Sequence, residues 1–462
     1  QIFDKISEQI NEYHRFFFRN KIHDGELTAI LRRMNQQGFA TYAKNQKAGV
    51  FGQRNFLPSN KEQFNEEINR LSTKFKSRTI FTANKICVGK FDLLGSLDVD
   101  MRRHKSSNGH EIDWQKDPIS GERYSQIFSQ WRWNPLEMQR RNSDVKGPWE
   151  LTRCQHFTTL GAAYWMTNDP KYAQCYAKTI VDFIKRNPPG FGVHWACNMD
   201  VSLRIVGWLS GLNFFQGAPA LDLTWWRSFL RSIVEHGRYI AANLEYGTMD
   251  GNLVASNHNL SNMLGLYWIA QCFPHLDAGA TWRGISERAL EFEIRKQMLN
   301  DGVNFESSLP YHRLVTEIFL SAYALSLHVN APLSDGYKNR LLKAMTVIRD
   351  LRQDNGRIPQ IGDNDSGRAH KFSDYGLPEN AFMDHILHAG SKVLNSPMLV
   401  EGIPEESLLE GVFWNVCATE LADLPKREEL KILSDAGIAI LKSIKSFISV
   451  SNGVCGTEGF GN

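Results

Sequence analysis

The sequence predicts a mainly α-helical protein that passes into a β domain near its end. Two observations carry this. From about residue 149, one segment after another repeats apolar residues at helical spacing, with prolines between the segments. Near residue 430 the period changes to alternation, and β-branched residues take over.

Residues 1–35 are amphipathic and helical in pattern. Residues 50–130 are irregular, with turn-rich stretches such as Lys105-Ser106-Ser107-Asn108-Gly109, and read as an N-terminal arm or cap with few long helices. Beyond them Val201, Ile205, Trp208 and Leu212 share one helical face. So do Leu260, Met263, Leu264, Tyr267 and Trp268, and again Leu314, Val315, Ile318, Phe319 and Ala322. Further helices are predicted over 154–167, 171–186, 223–244, 281–299, 336–352 and 379–392, punctuated by Pro170, Pro188, Pro189, Pro274, Pro310 and Pro332. Helix pairs on short loops make a bundle, a solenoid or a closed α/α toroid. No sequence repeat is evident, which disfavours a regular solenoid. Near the end, Ile432, Ile438, Ile440, Ile444, Ile448 and Val450 fall largely at alternate positions, around the turns Asp435-Ala436-Gly437 and Ser451-Asn452-Gly453. A β domain of about 30 residues is too small to stand alone, so the sequence is expected to stop inside a domain. The expected division is an arm at 1–130, a helical domain at 131–425 and the beginning of a β domain at 426–462.

Composition narrows the function classes. The 462 residues are 42% hydrophobic and 22% charged, with a net charge of +3. So even a balance argues against nucleic acid, which wants a basic stripe, and leaves room for a local basic cleft for an anionic polymer. No run of 18 apolar residues predicts a membrane span. The seven cysteines, Cys87, Cys154, Cys175, Cys197, Cys272, Cys417 and Cys455, show no zinc-ligand spacing. They read as buried free thiols, and neither a metal nor another cofactor is expected. The first residue is Gln and residues 1–20 lack an apolar stretch, so no signal peptide is expected within them. The 12 Trp, 13 Tyr and 27 Phe serve core packing by default, and a few are candidates for stacking on sugars.

Three segments place polar groups where a core helix does not need them. Ser256-Asn257-His258-Asn259 opens a helix; one residue suffices for a cap, so the run reads equally as a cap and as a site. The run Asp301 to Arg313 leads through a turn and Pro310 into a helix whose first turn carries Tyr311 and His312. Tyr311 either packs with only its hydroxyl wet, or ionises beside a cation; Glu306 caps the helix or positions His312. Pro359 to Arg368 has the composition of a calcium loop without its spacing, and reads as an Asp/Gly turn.

These runs, with Trp149-Glu150-Leu151-Thr152-Arg153 and Trp195 to Arg204, resemble the heparinase II/III-like proteins. Within that group the sequence is most similar to heparinase III, polysaccharide lyase family 12, and relatives associated with exopolysaccharide gene clusters. The resemblance covers about 145–370 and is weak before residue 80. It implies an incomplete α/α toroid followed by the start of an antiparallel β-sandwich. It implies a polysaccharide lyase that cleaves uronic-acid-containing glycans by β-elimination. Asn257 would neutralise the uronate carboxylate, Tyr311 would act as base or acid, and His258 would be their catalytic neighbour. His312, Arg153, Arg204, Glu306 and Trp195 are the expected substrate contacts, although a buried arginine that braces helices is an equal reading of Arg153 and Arg204. The family also implies a catalytic histidine on an early strand of the sandwich, and Gly456 to Asn462 does not contain it. The expected partner is an acidic polysaccharide, heparan sulfate-like or a bacterial exopolysaccharide, handled by a monomer; a polymeric substrate argues for the periplasm or outside the cell, while the seven unpaired-looking thiols and the lack of a signal within residues 1–20 argue for the cytoplasm. The competing readings are a toroid glycoside hydrolase, which would need Asp363, Asp365 or Glu306 to flank the scissile bond, and a non-catalytic glycan-binding or biosynthesis-associated protein.

Overall fold

In a computed structural model, the residues described are 61–103, 111–126, 142–249, 252–274, 276, 278–364, 366–375, 383–404, 409–414, 417–443 and 446–453. The expected helix within 1–35 and the C-terminal run Gly456 to Asn462 lie outside them.

The described helices are α1 (Lys61–Leu71), α2 (Thr73–Cys87), α3 (Lys146–Thr152), α4 (Phe157–Thr167), α5 (Pro170–Arg186), α6 (Asn198–Phe215), α7 (Leu223–Ala242), α8 (Asn257–Cys272), α9 (Gly279–Gln297), α10 (Leu309–His328), α11 (Asp335–Leu351) and α12 (Asp384–Val393). From α4 onward they alternate in character. All of α6 is buried, as is nearly all of α8 and α10. A helix buried all round must have neighbours on every side. The intervening α5, α7 and α11 bury one face only. Thus α4, α6, α8 and α10 pack side by side as an inner layer, and α5, α7, α9 and α11 cover it. This is the α/α toroid arrangement, and it selects among the three architectures that helical spacing alone left open.

Residues 61–87, read as part of an irregular arm, instead form α1 and α2, and α2 packs on α4. Their surroundings are aromatic: Phe64 stacks edge-on against Trp165 and against Phe413, both at 5.4 Å between centroids. Only five residues of α2 are buried, so its apolar stripe is too thin to stand out at helical period.

Close approach at the centre depends on small residues. A side chain at Gly207 of α6 would lie 2.1 Å from the Arg153 carbonyl oxygen, so only glycine lets α6 run against the end of α3.

Among the described residues three small antiparallel sheets accompany the helices: β1 (Lys90–Leu93) with β2 (Ser96–Asp100), β3 (Gly247–Met249) with β4 (Asn252–Val254), and β5 (Leu430–Leu433), β6 (Ile438–Lys442) and β7 (Phe447–Ser451) in that order. The last agrees with the alternating pattern, with Asp435 to Gly437 between β5 and β6. Leu433, Ile438 and Ile440 are buried, while Ile432, Ile448 and Val450 are exposed. Ala436 and Asn300 donate backbone N–H groups to Asp301 and Asp435 respectively, fastening this sheet to the turn before α10.

Candidate active site

Three inner helices open at one end of the layer, and two glutamates join their mouths. Glu245, just ahead of β3, accepts the backbone N–H groups of Asn198 at 3.2 Å and Met199 at 2.7 Å, in the first turn of α6. The same carboxylate accepts the Asn262 amide of α8 at 3.2 Å and faces His258 Nδ1 at 3.2 Å. Glu306, in the turn before α10, accepts the Asn257 backbone N–H at 3.2 Å and its side-chain amide at 3.2 and 3.0 Å. Helix N-termini expose unpaired N–H groups and a positive dipole end, so carboxylates belong there.

Ser256 resolves the ambiguity of the polar run at α8. Its hydroxyl accepts the His258 N–H and supplies the cap. Asn257 and His258 are thereby released to face the two glutamates. At α10, Ser308 caps through the Tyr311 N–H and its own hydroxyl donates to the Asp363 carbonyl. Leu309 N–H donates to Ile361 O at 3.0 Å, so the Pro359–Arg368 loop folds onto the same mouth. That loop contains Asx-type bonds, Asn364 N–H to Asp363 and Ser366 N–H to Asn364, as an Asp/Gly turn should. Tyr311 is half-buried in the first turn of α10, five residues after Glu306. Asn257 is 5% exposed. Asp365 lies outside the described residues.

Charge at the mouth is nearly balanced. Burial disfavours the His258 imidazolium, but its hydrogen bond to Glu245 and the charges of Glu245, Asp200 and Glu306 outweigh this and hold its pKa above the ordinary value. Burial likewise opposes ionisation of Glu245, and His258, Asn262 and Met199 reverse the balance and hold it low. Arg153 bonds Asp200 at 2.7 Å and Glu150 at 3.1 Å, and Glu150 bonds Lys371 at 2.8 Å. A second buried network lies behind it: Arg368 pairs with Glu317 at 2.5 Å and Asp374 at 2.6 Å, and His385 with Glu317 at 2.9 Å.

Not every expected contact reaches this mouth. His312 is fully buried: its Nδ1 accepts the Asn304 N–H and its Nε2 faces Ala344 O, both at 3.1 Å. Those bonds demand one neutral tautomer, and burial pushes the pKa down to about 4. Arg204 is fully buried, bonded to His194 O at 2.8 Å with Phe183 and Trp195 rings beside it at 4.4 and 5.1 Å. Trp195 is 1% exposed and donates to Asn187 O. These three brace the core rather than touch a sugar; helical spacing could not tell an inner face from a cleft face. Arg153 reaches the mouth already paired with two carboxylates. Glu245, Asp200, Glu150 and Lys371 are not among the expected site residues, although Glu150 and Asp200 lie within the runs that carry the resemblance. Only Asp200 carried a local signal, an acid in a helix first turn.

An inner layer of helices covered by an outer one, with Asn257, His258 and two glutamates where three inner helices open, defines the class of α/α toroids. The family model for the heparinase II/III N-terminus matches residues 33–376, and the chain belongs to that family. It is 28% identical over 228 residues to a heparin-sulfate lyase of Pedobacter heparinus, covering 48% of this chain and 30% of the relative. It is 25% identical over 213 residues to a heparin-sulfate lyase of Bacteroides stercoris, covering 42% of this chain and 30% of that relative. A crystal structure of heparinase III superposes with a TM-score of 0.55 at 18% identity, over 84% of this chain and 54% of the other, a likeness of fold. The match thus spans under a third of the curated relatives' length. Among the described residues no helix is long and apolar enough to cross a membrane.

Proposed function

We propose that this chain carries the helical part of a polysaccharide lyase that cleaves uronic-acid-containing glycans by β-elimination, on a heparan sulfate-like or bacterial exopolysaccharide substrate. The observation that carries the proposal is the Asn257–Glu306 contact, which ties the amide at the mouth of α8 to the turn that opens α10, the helix whose first turn holds Tyr311. The family and the lyase relatives support the same reading.

The C5 proton of a uronate is too weakly acidic to leave unaided. Neutralising the adjacent carboxylate lets the developing carbanion delocalise as an enolate. A preorganised donor aimed at that charge is the largest expected contribution. Asn257 is that donor, its amide oriented by Glu306, and the substrate carboxylate must take one amide N–H from this partner. His258 stands next to it in the same helix turn, with Nδ1 facing Glu245. Tyr311 takes one of the two proton transfers, removal of the C5 proton or protonation of the departing O4, and a histidine takes the other, each step being worth roughly 10²–10⁴ in rate. The bond from C4 to O4 breaks as the C4=C5 double bond forms, leaving a 4,5-unsaturated uronate. Glu306, bonded to Asn257, is a positioning residue and is not used as one of a hydrolytic pair.

The test uses the purified protein. It is incubated with heparan sulfate, hyaluronan, alginate and bacterial exopolysaccharides, and ultraviolet absorbance of the unsaturated product is followed. Absorbance that Tyr311→Phe abolishes supports the proposal. New reducing ends without absorbance, or full activity in Tyr311→Phe, refute it.

A further inference from the structure

Beside the glycan site, three side chains from separate segments converge with metal-binding chemistry. Cys197 Sγ lies 3.7 Å from Glu245 Oε1 and 3.9 Å from His258 Nδ1, and those two atoms are 3.2 Å apart. The donors are therefore a thiol, a carboxylate oxygen and an imidazole nitrogen around one point. Zinc bond lengths of about 2.3 Å to sulfur and about 2.0–2.2 Å to nitrogen or oxygen, at a tetrahedral angle, require about 3.6 Å from sulfur to either other donor and about 3.4 Å from nitrogen to oxygen. The observed separations match within a few tenths of an ångström.

We propose that Cys197, Glu245 and His258 bind one divalent cation of the zinc class. The Glu245 carboxylate is already held from behind: Met199 N–H and the Asn262 amide hold its other oxygen, and Asn198 N–H adds a bond to Oε1. Such support fixes ligand orientation. Cys197 is buried, while the His258 side chain is 46% exposed, so the ion has a route in and a fourth corner for water. Binding takes the thiol as thiolate and His258 through an unprotonated Nδ1, releasing the displaced protons to solvent. A cysteine nucleophile is a poorer account of the cluster: one imidazole nitrogen faces both the thiol and the glutamate, whereas a relay needs the two nitrogens to face different partners. Because 48 and 13 residues separate Glu245 from its two co-ligands, no spacing motif reveals the site.

The experiment titrates the metal-stripped chain with Co²⁺ and follows the thiolate-to-cobalt charge-transfer band and the tetrahedral d–d bands, with Zn²⁺ as competitor. One equivalent is expected to bind and Zn²⁺ to displace it. Cys197→Ser should abolish the charge-transfer band, His258→Ala should weaken binding at least tenfold, and Cys417→Ser, at an exposed thiol, should change nothing. Absence of the band in the folded chain, its survival in Cys197→Ser, or unchanged affinity in His258→Ala overturns the proposal. The exposed position of His258 keeps that variant informative should Cys197→Ser not fold. The readout needs no glycan, so it is independent of the lyase reading.

Discussion

The Asn257 amide donates to both oxygens of the Glu306 carboxylate, at 3.2 and 3.0 Å, and so ties the mouth of α8 to the turn that opens α10. Glu306 is 1% exposed, so each bond forms away from water. Removing the carboxylate leaves the Asn257 amide and backbone N–H without it in a buried place. Glu306→Ala is expected to destabilise the protein by roughly 1–3 kcal/mol. Denaturant unfolding checks this, and a cost near zero contradicts the positioning role.

Asn257→Ala removes the donor aimed at developing charge. The kcat for the elimination is expected to fall about 10²–10³-fold, with a smaller effect on KM. Steady-state kinetics by product absorbance measure both; a rise in KM alone would mean that Asn257 serves only ground-state binding.

The His258–Glu245 pair predicts opposite pH responses. His258 is raised above 6.5 in the fold, so its stabilisation is complete below 6.5 and fades as pH rises through the folded value. Glu245 is lowered below 4.5, so its contribution is complete above 4.5 and fades as pH falls through the folded value. The pair is strongest between these limits. NMR titration should show the His258 pKa falling in Glu245→Gln, and no movement would deny the coupling.

Buried His312 acts in the other direction. Its folded pKa of about 4 lies below 6.5, so its contribution is complete above 6.5 and is lost as pH falls toward 4. That shift corresponds to roughly 3 kcal/mol at neutral pH. Unfolding free energies measured from pH 7 to 4 should fall more steeply for the wild type than for His312→Gln, which cannot ionise there. Equal slopes would refute it.

At the centre, Glu317 holds Arg368 and His385 in a buried network, and those partners keep its pKa near 2 against the penalty of burial. Glu317→Ala leaves Arg368 with Asp374 as its remaining ion-pair partner and takes the carboxylate away from His385, breaking a buried network at an expected cost of about 3–5 kcal/mol. Gly207→Ala tests packing instead: the added methyl meets the Arg153 carbonyl, with an expected loss of about 1–3 kcal/mol. Thermal unfolding separates these costs from surface-like substitutions, which change little.

By itself the sequence determined the helical segments from Phe157 to Leu351, the strands after 430, and the helix starts at which Asn257 and Tyr311 stand. These are local properties: periodicity, proline at Pro170 and Pro310, and caps at Ser256 and Ser308 depend on near neighbours. Tertiary structure alone decided which helices are inner, because Arg204, Trp195 and His312 carry the same residue types whether they face a cleft or a core. It also decided that Glu245 would meet Cys197 and His258. Those contacts join segments far apart in the chain, and geometry at that range is set by how layers pack rather than by any pattern within one helix.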